Sequence, residues 1–252
     1  MRSTANPIVF TKLDLILQRL LDSVQHGYTH VASGQVTPSK ASKLASKFDV
    51  QNQVFADRNE RARRKHTDLG NAKWLCYAKN DVIYWWLLVT HPEQGDHFAH
   101  TSEKLVDVTK AGNCLKLEQF ELAELPYSKP TKPKPAHYKE RSKPTRWTWR
   151  LTKEAYEDAR HRIIDVVRSG DPYQLTGIIR ALYSMPGFGE IRSQVGKLVA
   201  LYSAEVKRAG LINAPAPIET LRYVRRLPDD GVRLSVLVEA YQRKLDEVKS
   251  HV

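Results

Sequence analysis

Residues 126–150 carry a dense run of cations and prolines, and this run limits the folds open to the chain. Eight Lys or Arg oppose one acid, Glu140, and five of the 13 prolines in the sequence lie here. Proline fixes φ and removes a backbone donor, which is incompatible with a helix interior or an inner strand. Burial would strip the cations of their hydration. Residues 126–146, named the basic arm below, are therefore predicted to be extended and solvated.

A solvated cationic arm is typical of proteins that bind polyanions, and nucleic acid is the predicted partner. The net charge of +12 and the isoelectric point near 9.6 agree with this prediction. An arm that keeps the protein in solution and binds nothing is the alternative. The candidate phosphate contacts are the cations of the arm and of the strand that follows it: Lys129, Lys132, Lys134, Lys139, Arg141, Lys143, Arg146 and Arg150.

The remaining composition is that of a globular protein with a core, because 41% of the 252 residues are hydrophobic. The longest apolar run, Val82 to Val89, is strand-sized and too short to cross a bilayer. The N-terminus lacks the apolar core of a secretory signal, and Cys76 and Cys114 give neither a disulfide framework nor a zinc spacing. We expect a cytoplasmic protein with no membrane partner. No cofactor is predicted, because no phosphate-binding loop or dinucleotide fingerprint is present.

The order of predicted elements indicates an α+β protein. An amphipathic helix from Thr11 to Val24 precedes the pattern of a ferredoxin-like βαββαβ sheet. The strands are predicted at 28–36, 73–79, 82–90 and 114–125, and the second helix of the pattern at 101–110. From residue 153 onward the apolar spacing is helical. The predicted domains are therefore residues 1–152, which include the basic arm, and residues 153–252, an all-α half.

Strand-like alternation flanks the basic arm on both sides. Leu115, Leu117, Phe120 and Leu122 alternate before it, and Trp147 and Trp149 alternate after it. If these flanks pair, the arm is the tip of a hairpin that is tethered at both ends. If they do not, the arm is a linker between two domains. The sequence leaves both arrangements open.

A second basic cluster lies on a predicted helix. Arg58, Arg61, Arg64 and Lys65 are close enough along that helix to follow a phosphate backbone. A solvated helix face on which Asp57 and Glu60 partly balance the cations explains the same residues. The two interpretations stay open.

Aromatic residues are concentrated on two neighbouring predicted strands. Trp74 and Tyr77 lie on the first strand, and Tyr84, Trp85 and Trp86 on the second. Sheets that bind RNA stack bases on such aromatics. Packing in the core is the favoured interpretation, because large aromatic side chains are mostly buried.

The segment Pro186-Gly-Phe-Gly189 between two predicted helices resembles the turn of a helix-hairpin-helix element. That resemblance implies backbone N–H groups that face a phosphate, with Arg192 and Lys197 close to it. A plain helix–helix turn is the alternative.

Five histidines are the candidates for catalysis: His26, His30, His91, His97 and His100. A ferredoxin-like sheet with a histidine near its first strand resembles the CRISPR RNA-processing endoribonucleases, although their glycine-rich loop near the C-terminus is not evident here. The pair His97-Phe-Ala-His100 lacks the spacing of rolling-circle initiators, in which one residue separates the histidines. Asp96 with His97 and His100 is a candidate metal set, but a polar loop is the commoner reason for such residues. No catalytic residue and no metal site are predicted on balance.

Four segments are similar to those of uncharacterised proteins encoded on bacterial plasmids and integrative elements: Gly27-Tyr-Thr-His30, Trp85-Trp-Leu-Leu-Val-Thr90, Trp147-Thr-Trp-Arg-Leu-Thr152 and Pro186-Gly-Phe188. The resemblance implies a mobile-element context. The leading hypothesis is a non-enzymatic accessory protein that binds DNA or RNA. The alternatives are a histidine-dependent nuclease or nucleic-acid-processing enzyme, and an assembly subunit whose helical half docks a protein partner.

Overall fold

The structure, a computed structural model, describes residues 5–126, 145–217 and 220–250. The chain forms two compact units. The first unit combines Met1–Asn113 with Arg226–Val252, and the second unit is Cys114–Arg225. The predicted boundary between residues 152 and 153 falls inside the second unit. Both units contain helices and antiparallel strands, which confirms the α+β class.

The strands and helices follow one another along the chain as β1 Ile8–Val9, α1 Leu13–Gln25, β2 His30–Val36, α2 Pro38–Asn52, α3 Arg58–His66, β3 Ala72–Lys79, β4 Val82–Val89, α4 Ala99–Ser102, β5 Val106–Asp107, β6 Lys116–Leu117, β7 Phe120–Pro126, β8 Thr145–Leu151, α5 Lys153–Ser169, α6 Pro172–Tyr183, α7 Gly189–Arg208, β9 Val232–Arg233 and α8 Leu234–Ser250. A short 3-10 helix, Pro92–Gln94, follows β4. None of the helices in the described part of the chain is both long enough and apolar enough to cross a membrane.

The first unit is built on a four-stranded antiparallel sheet in the order β3-β4-β2-β5. The three long strands confirm the sequence prediction. The fourth does not, because residues 114–125 belong to the second unit and β5 takes the edge position. The helix predicted at 101–110 was also wrong beyond Ser102. The carboxylate of Asp107 accepts hydrogen bonds from the backbone N and the hydroxyl of Thr109, and such local bonds compete with a helix.

Both faces of this sheet are covered by apolar side chains. Phe48 of α2, Trp74, Leu87 and Leu234 of α8 share one core. Trp86 points to the other face and is 3% exposed, while Trp74 is 5% exposed. The prediction that these tryptophans pack in the core is confirmed. They are not available as a stacking platform for bases.

The C-terminal segment completes the first unit. Strand β9 pairs antiparallel with β1, and α8 packs on α2. Arg19 of α1 pairs with Asp229 at 2.5 Å, and Arg226 pairs with Asp22 at the same distance. The residues from 226 onward therefore belong to the first unit, whereas their helical spacing had predicted that they lie in a separate helical domain, residues 153–252.

The second unit contains a three-stranded sheet in the order β6-β7-β8, packed against α5 and α7. Strands β7 and β8 pair antiparallel from Phe120 opposite Leu151 to Pro126 opposite Thr145. Trp149 of β8 is fully buried. The pairing of the two flanks of the basic arm is confirmed, so the arm joins neighbouring strands of one sheet and is not a linker between units.

Candidate histidine cluster and basic surfaces

His30 is the first residue of β2 and lies between two neighbouring strands of the sheet. Its register partners are Val89 of β4 and Asp107 of β5. Directly paired residues of antiparallel strands point to the same face. The strand register therefore brings an imidazole and a carboxylate together, although they are far apart in the sequence.

The loop after β4 delivers a second imidazole to the same place. The backbone N of His91 donates to the carbonyl of Gly27 at 3.2 Å, which ties this loop to the turn between α1 and β2. Gly27 has φ of +89°, and a Cβ there would lie 2.7 Å from the side-chain oxygen of Gln94. The positive φ favours glycine at this position. Further along, the backbone N of Gly70 donates to the carbonyl of Asp96 at 2.8 Å, so the loop is held at both ends.

Four side chains consequently converge at this end of the sheet, and we name His30, His91, His100 and Asp107 the histidine cluster. The ring centroids of His91 and His100 each lie 5.1 Å from that of His30, in edge-on orientations. His30, His91 and Asp107 each offer a potential ligand atom, and these atoms lie within 4.8 Å of one another. His100 is oriented by a hydrogen bond of 3.0 Å between its Nε2 and the carbonyl of Thr90.

Charge and burial set the protonation of this cluster. Burial lowers the pKa of His30, against the opposing effect of the Asp107 charge. His100, His91 and Lys110 act in the same direction as burial. Burial disfavours the charged form of Asp107, but hydrogen bonds from Thr109 outweigh it and hold the pKa of this carboxyl below its usual value. A neutral imidazole beside an ionised carboxylate is the expected state near neutral pH.

The other histidine candidates lie outside the cluster. His26 is exposed, and its Nδ1 lies 2.6 Å from the carbonyl of Asp22. His97 is buried and accepts a hydrogen bond from the backbone N of Ala99 at 3.1 Å. The sequence also suggested Asp96, His97 and His100 as a metal set. Within residues 5–126, the potential ligand atoms of these three residues do not converge.

Sequence reasoning identified the three histidines of the cluster but missed Asp107. Its neighbourhood in the sequence resembles an ordinary helix terminus, so no local signal marked it. The one clue to a strand at Asp107 was that the predicted sheet needs a further strand beside β2. A two-residue strand is too short to be recognised from alternation.

The cations of α3 divide into two kinds. Arg64 donates to the carbonyl of Gly70 at 2.9 Å and to the side chain of Gln53 at 2.7 Å. The half-buried Arg61 donates to the carbonyl of Val54 at 3.5 Å. These two arginines support the local backbone. Arg58 and Lys65 are exposed, so the continuous phosphate track predicted along this helix reduces to its exposed members.

The basic arm itself falls largely outside the described residues, including its six predicted contacts Lys129, Lys132, Lys134, Lys139, Arg141 and Lys143. The two remaining predicted contacts lie on β8. Arg150 pairs with Glu121 on β7 at 2.8 Å, and the side chain of Glu121 is only 11% exposed. Arg146 is half-buried with its guanidinium near the start of α7, where a Cβ on Gly189 would meet its Nη1 at 3.4 Å. Both arginines are therefore engaged within the second unit.

The turn that resembles a helix-hairpin-helix element is covered by the chain itself. A Cβ on Gly187 would meet the carbonyl oxygen of Arg222 at 1.8 Å, so residues 220–225 lie directly on the turn. Arg192 donates to this segment and places its guanidinium carbon 3.6 Å from the ring centroid of Tyr223. A plain helix–helix turn is the interpretation that these contacts favour.

No protein-family model, curated protein or solved structure matches this chain. Its function is therefore inferred from its own residues and their geometry. Two imidazoles and a carboxylate can transfer protons or bind a metal ion. The cations around the β7–β8 hairpin can bind a polyanion.

Proposed function

We propose that this protein is a nucleic-acid-binding accessory protein of a mobile genetic element, which contacts phosphates through the basic arm. The observation that carries the proposal is the pairing of β7 with β8, in which Pro126 lies opposite Thr145. This register fixes both ends of residues 127–144 side by side at one end of a sheet. Six lysines and arginines lie within that stretch of sequence. Clustered cations of this kind can contact successive phosphates of a nucleic-acid backbone.

The mobile-element context of this proposal rests only on the resemblance of four sequence segments to proteins of plasmids and integrative elements. The exposed Arg58 and Lys65 of α3 are the second candidate contacts. A protein partner for the helical segments stays a prediction.

A binding series tests the proposal. Fluorescence polarisation should compare single- and double-stranded DNA and RNA of one sequence at two salt concentrations. The triple variant Lys129→Glu, Lys132→Glu, Lys134→Glu should bind about tenfold or more weakly at low salt. The slope of log affinity against log salt should also fall by about 2–3, because each phosphate contact contributes roughly 0.7–0.9.

The matched control is Lys40→Glu, Lys43→Glu, Lys153→Glu, which changes the net charge equally at three exposed helix positions. It should retain most of the affinity. Equal losses in the two triple variants would show that net charge, and not the arm, drives binding. Unchanged affinity in the arm variant would remove the proposal altogether.

We also infer a ferredoxin-like arrangement for the sheet of the first unit. The order β3-β4-β2-β5, with hairpin partners β3 and β4 adjacent, is the order that two interlocked split βαβ units produce. The crossover between β4 and β5 is abbreviated, since α4 spans only Ala99–Ser102. This fold hosts many functions, so it supports neither binding nor catalysis by itself.

Cleavage of RNA is a second candidate function, favoured by the convergence of His30, His91 and His100. One imidazole would take the proton of a ribose 2′-hydroxyl while its oxygen attacks the adjacent phosphorus. A second imidazole would protonate the departing 5′-oxygen, which leaves a 2′,3′-cyclic phosphate and a 5′-hydroxyl. Labelled RNA should be cut in the presence of EDTA, DNA of the same sequence should survive, and His30→Ala should abolish cutting. Equal cutting by His30→Ala and wild type would exclude this function.

A further inference from the structure

We propose that His30, His91 and Asp107 form a binding site for a divalent transition-metal ion, with Zn²⁺ as the best-suited probe. This inference goes beyond nucleic-acid binding and does not depend on it. The three residues come from three separate parts of the first unit: the start of β2, the loop after β4, and β5. Their potential ligand atoms lie within 4.8 Å of one another.

The distances suit closure around an ion. Zn–N and Zn–O bonds of about 2.0–2.2 Å place tetrahedral ligand atoms roughly 3.4 Å apart. Contraction of the group by a little over an ångström is therefore sufficient, and rotation of the partly exposed His30 and His91 rings can supply it. The backbone that carries the two rings is fixed by strand pairing and by the tether between His91 and Gly27.

The chemistry of the donors selects the class of metal. Two imidazole nitrogens and one carboxylate are a ligand set typical of Zn²⁺, Co²⁺, Ni²⁺ and Fe²⁺. Mg²⁺ and Ca²⁺ prefer an all-oxygen shell, which this group does not offer. Three protein ligands also leave at least one coordination position for water or a substrate oxygen.

Neighbouring groups orient the ligands. One oxygen of Asp107 accepts hydrogen bonds from Thr109 N at 3.0 Å and Thr109 Oγ1 at 2.7 Å, which fixes the carboxylate plane. The other oxygen lies 4.0 Å from Lys110 Nζ and is the one left for the ion. Nδ1 of His91 accepts a hydrogen bond from the backbone N of Glu93 at 3.2 Å, which orients the imidazole ring. Hydrogen bonds that orient metal ligands are a regular feature of metal sites.

A simple His–Asp ion pair does not account for the arrangement. Such a pair needs a single imidazole, whereas two more rings lie edge-on beside His30. Lys110 already balances the charge of Asp107. A role of His91 as a metal ligand explains why a further imidazole lies beside this pair.

The test uses the untagged full chain, stripped with chelator, and measures Zn²⁺ affinity by competition with a chromophoric chelator. Wild type should bind one Zn²⁺ per chain with saturation, and Mg²⁺ should not compete. His30→Ala, His91→Ala and Asp107→Asn should each weaken Zn²⁺ binding by about 100-fold or more, because loss of an orienting group alone costs about 10–100-fold. Thr109→Val should give that smaller loss.

Matched controls are His26→Ala and His161→Ala, which remove exposed histidines elsewhere and should leave the affinity unchanged. Circular dichroism of the metal-free variants checks that they fold. If an alanine variant fails to fold, Asp107→Asn still tests the site, because asparagine keeps the shape of the aspartate side chain. X-ray absorption at the zinc edge should show two imidazoles and further oxygen ligands. Absence of saturable binding by wild type, or wild-type affinity in Asp107→Asn, would overturn the proposal. Nucleic-acid affinity measured in EDTA is a separate readout, so the two proposals can fail independently.

Discussion

His97→Asn should remove an acid-sensitive contribution to the stability of the first unit. His97 is 7% exposed and accepts a hydrogen bond from the backbone N of Ala99, while its ring also bonds to the backbone of Asn52. The neutral imidazole can make both contacts, but the bond to Asn52 by itself raises the pKa of His97 and opposes the effects that lower it. Burial, reinforced by the charge of Arg64, lowers the pKa of His97 to about 4. An unfolded histidine titrates near 6.5.

The sign of the effect follows from proton binding. As the pH falls below about 6.5, the unfolded chain binds a proton at His97 while the folded chain does not. The free energy of unfolding therefore falls from about pH 6.5 to about pH 4, and it levels off below that. A difference of 1 in pKa corresponds to about 1.4 kcal/mol, so the full effect is about 3 kcal/mol.

Asparagine keeps an acceptor for the Ala99 amide but cannot be protonated in this range. At pH 7 the variant should be less stable than wild type, because part of the buried ring is lost. Near pH 4.5 the wild-type advantage should shrink by about 2–3 kcal/mol. The carboxylates titrate in both proteins, so they cancel in this difference.

Urea unfolding followed through amide NMR signals of the first unit measures the difference at each pH. The exposed His66→Asn is the control for a histidine-to-asparagine change outside the core. Direct titration of the His97 ring proton signals should show no protonation above about pH 5. A constant gap between wild type and His97→Asn from pH 7 to 4.5 would refute the reasoning.

Two further comparisons of variants test the packing of the second unit. Gly187→Ala should lower the unfolding temperature markedly, because its Cβ would lie 1.8 Å from the carbonyl oxygen of Arg222. The control Gly177→Ala should be neutral or stabilising by up to about 1 kcal/mol, since nothing lies within 4 Å of a Cβ at that position. Thermal unfolding of the two variants checks this, and equal melting temperatures would contradict it. Arg150→Met should destabilise by about 1–3 kcal/mol by leaving the Glu121 carboxylate without its cross-strand partner, and the double variant with Glu121→Gln should recover much of that loss in urea unfolding. A strictly additive double variant would show that the pair is not coupled.

Local patterns predicted the elements that depend on local chemistry. The apolar face of α1 and the continuous apolar run of β4 were sufficient, because each pattern is itself the cause of burial. The pairing of β7 with β8 was also one of the two arrangements that the sequence predicted. Strand-like alternation flanks the proline-rich basic arm on both sides, and the arm itself cannot form an inner strand.

Elements that depend on distant partners were missed. Strand β5 contains only Val106 and Asp107, and it exists because the edge of β2 is open to it. The roles of Arg61 and Arg64 were equally hidden, because a helix pattern shows which cations share a face but not which of them support the backbone. The three histidines of the histidine cluster could be identified from the sequence, but Asp107 could not. The geometry of the cluster depends on the strand register of β2 with β4 and β5, which no single segment encodes.

The return of the chain to the first unit has a consequence for how the protein is made. Leu234, which is 1% exposed, belongs to the same core as Phe48 and Trp74. A ribosome synthesises residues 1–113 well before Leu234, so the nascent first unit lacks part of its core until the whole second unit has been made. The second unit, Cys114–Arg225, is contiguous and can complete its own contacts earlier. The first unit is thus expected to complete its core after the second unit, although most of its residues precede the second unit in the chain.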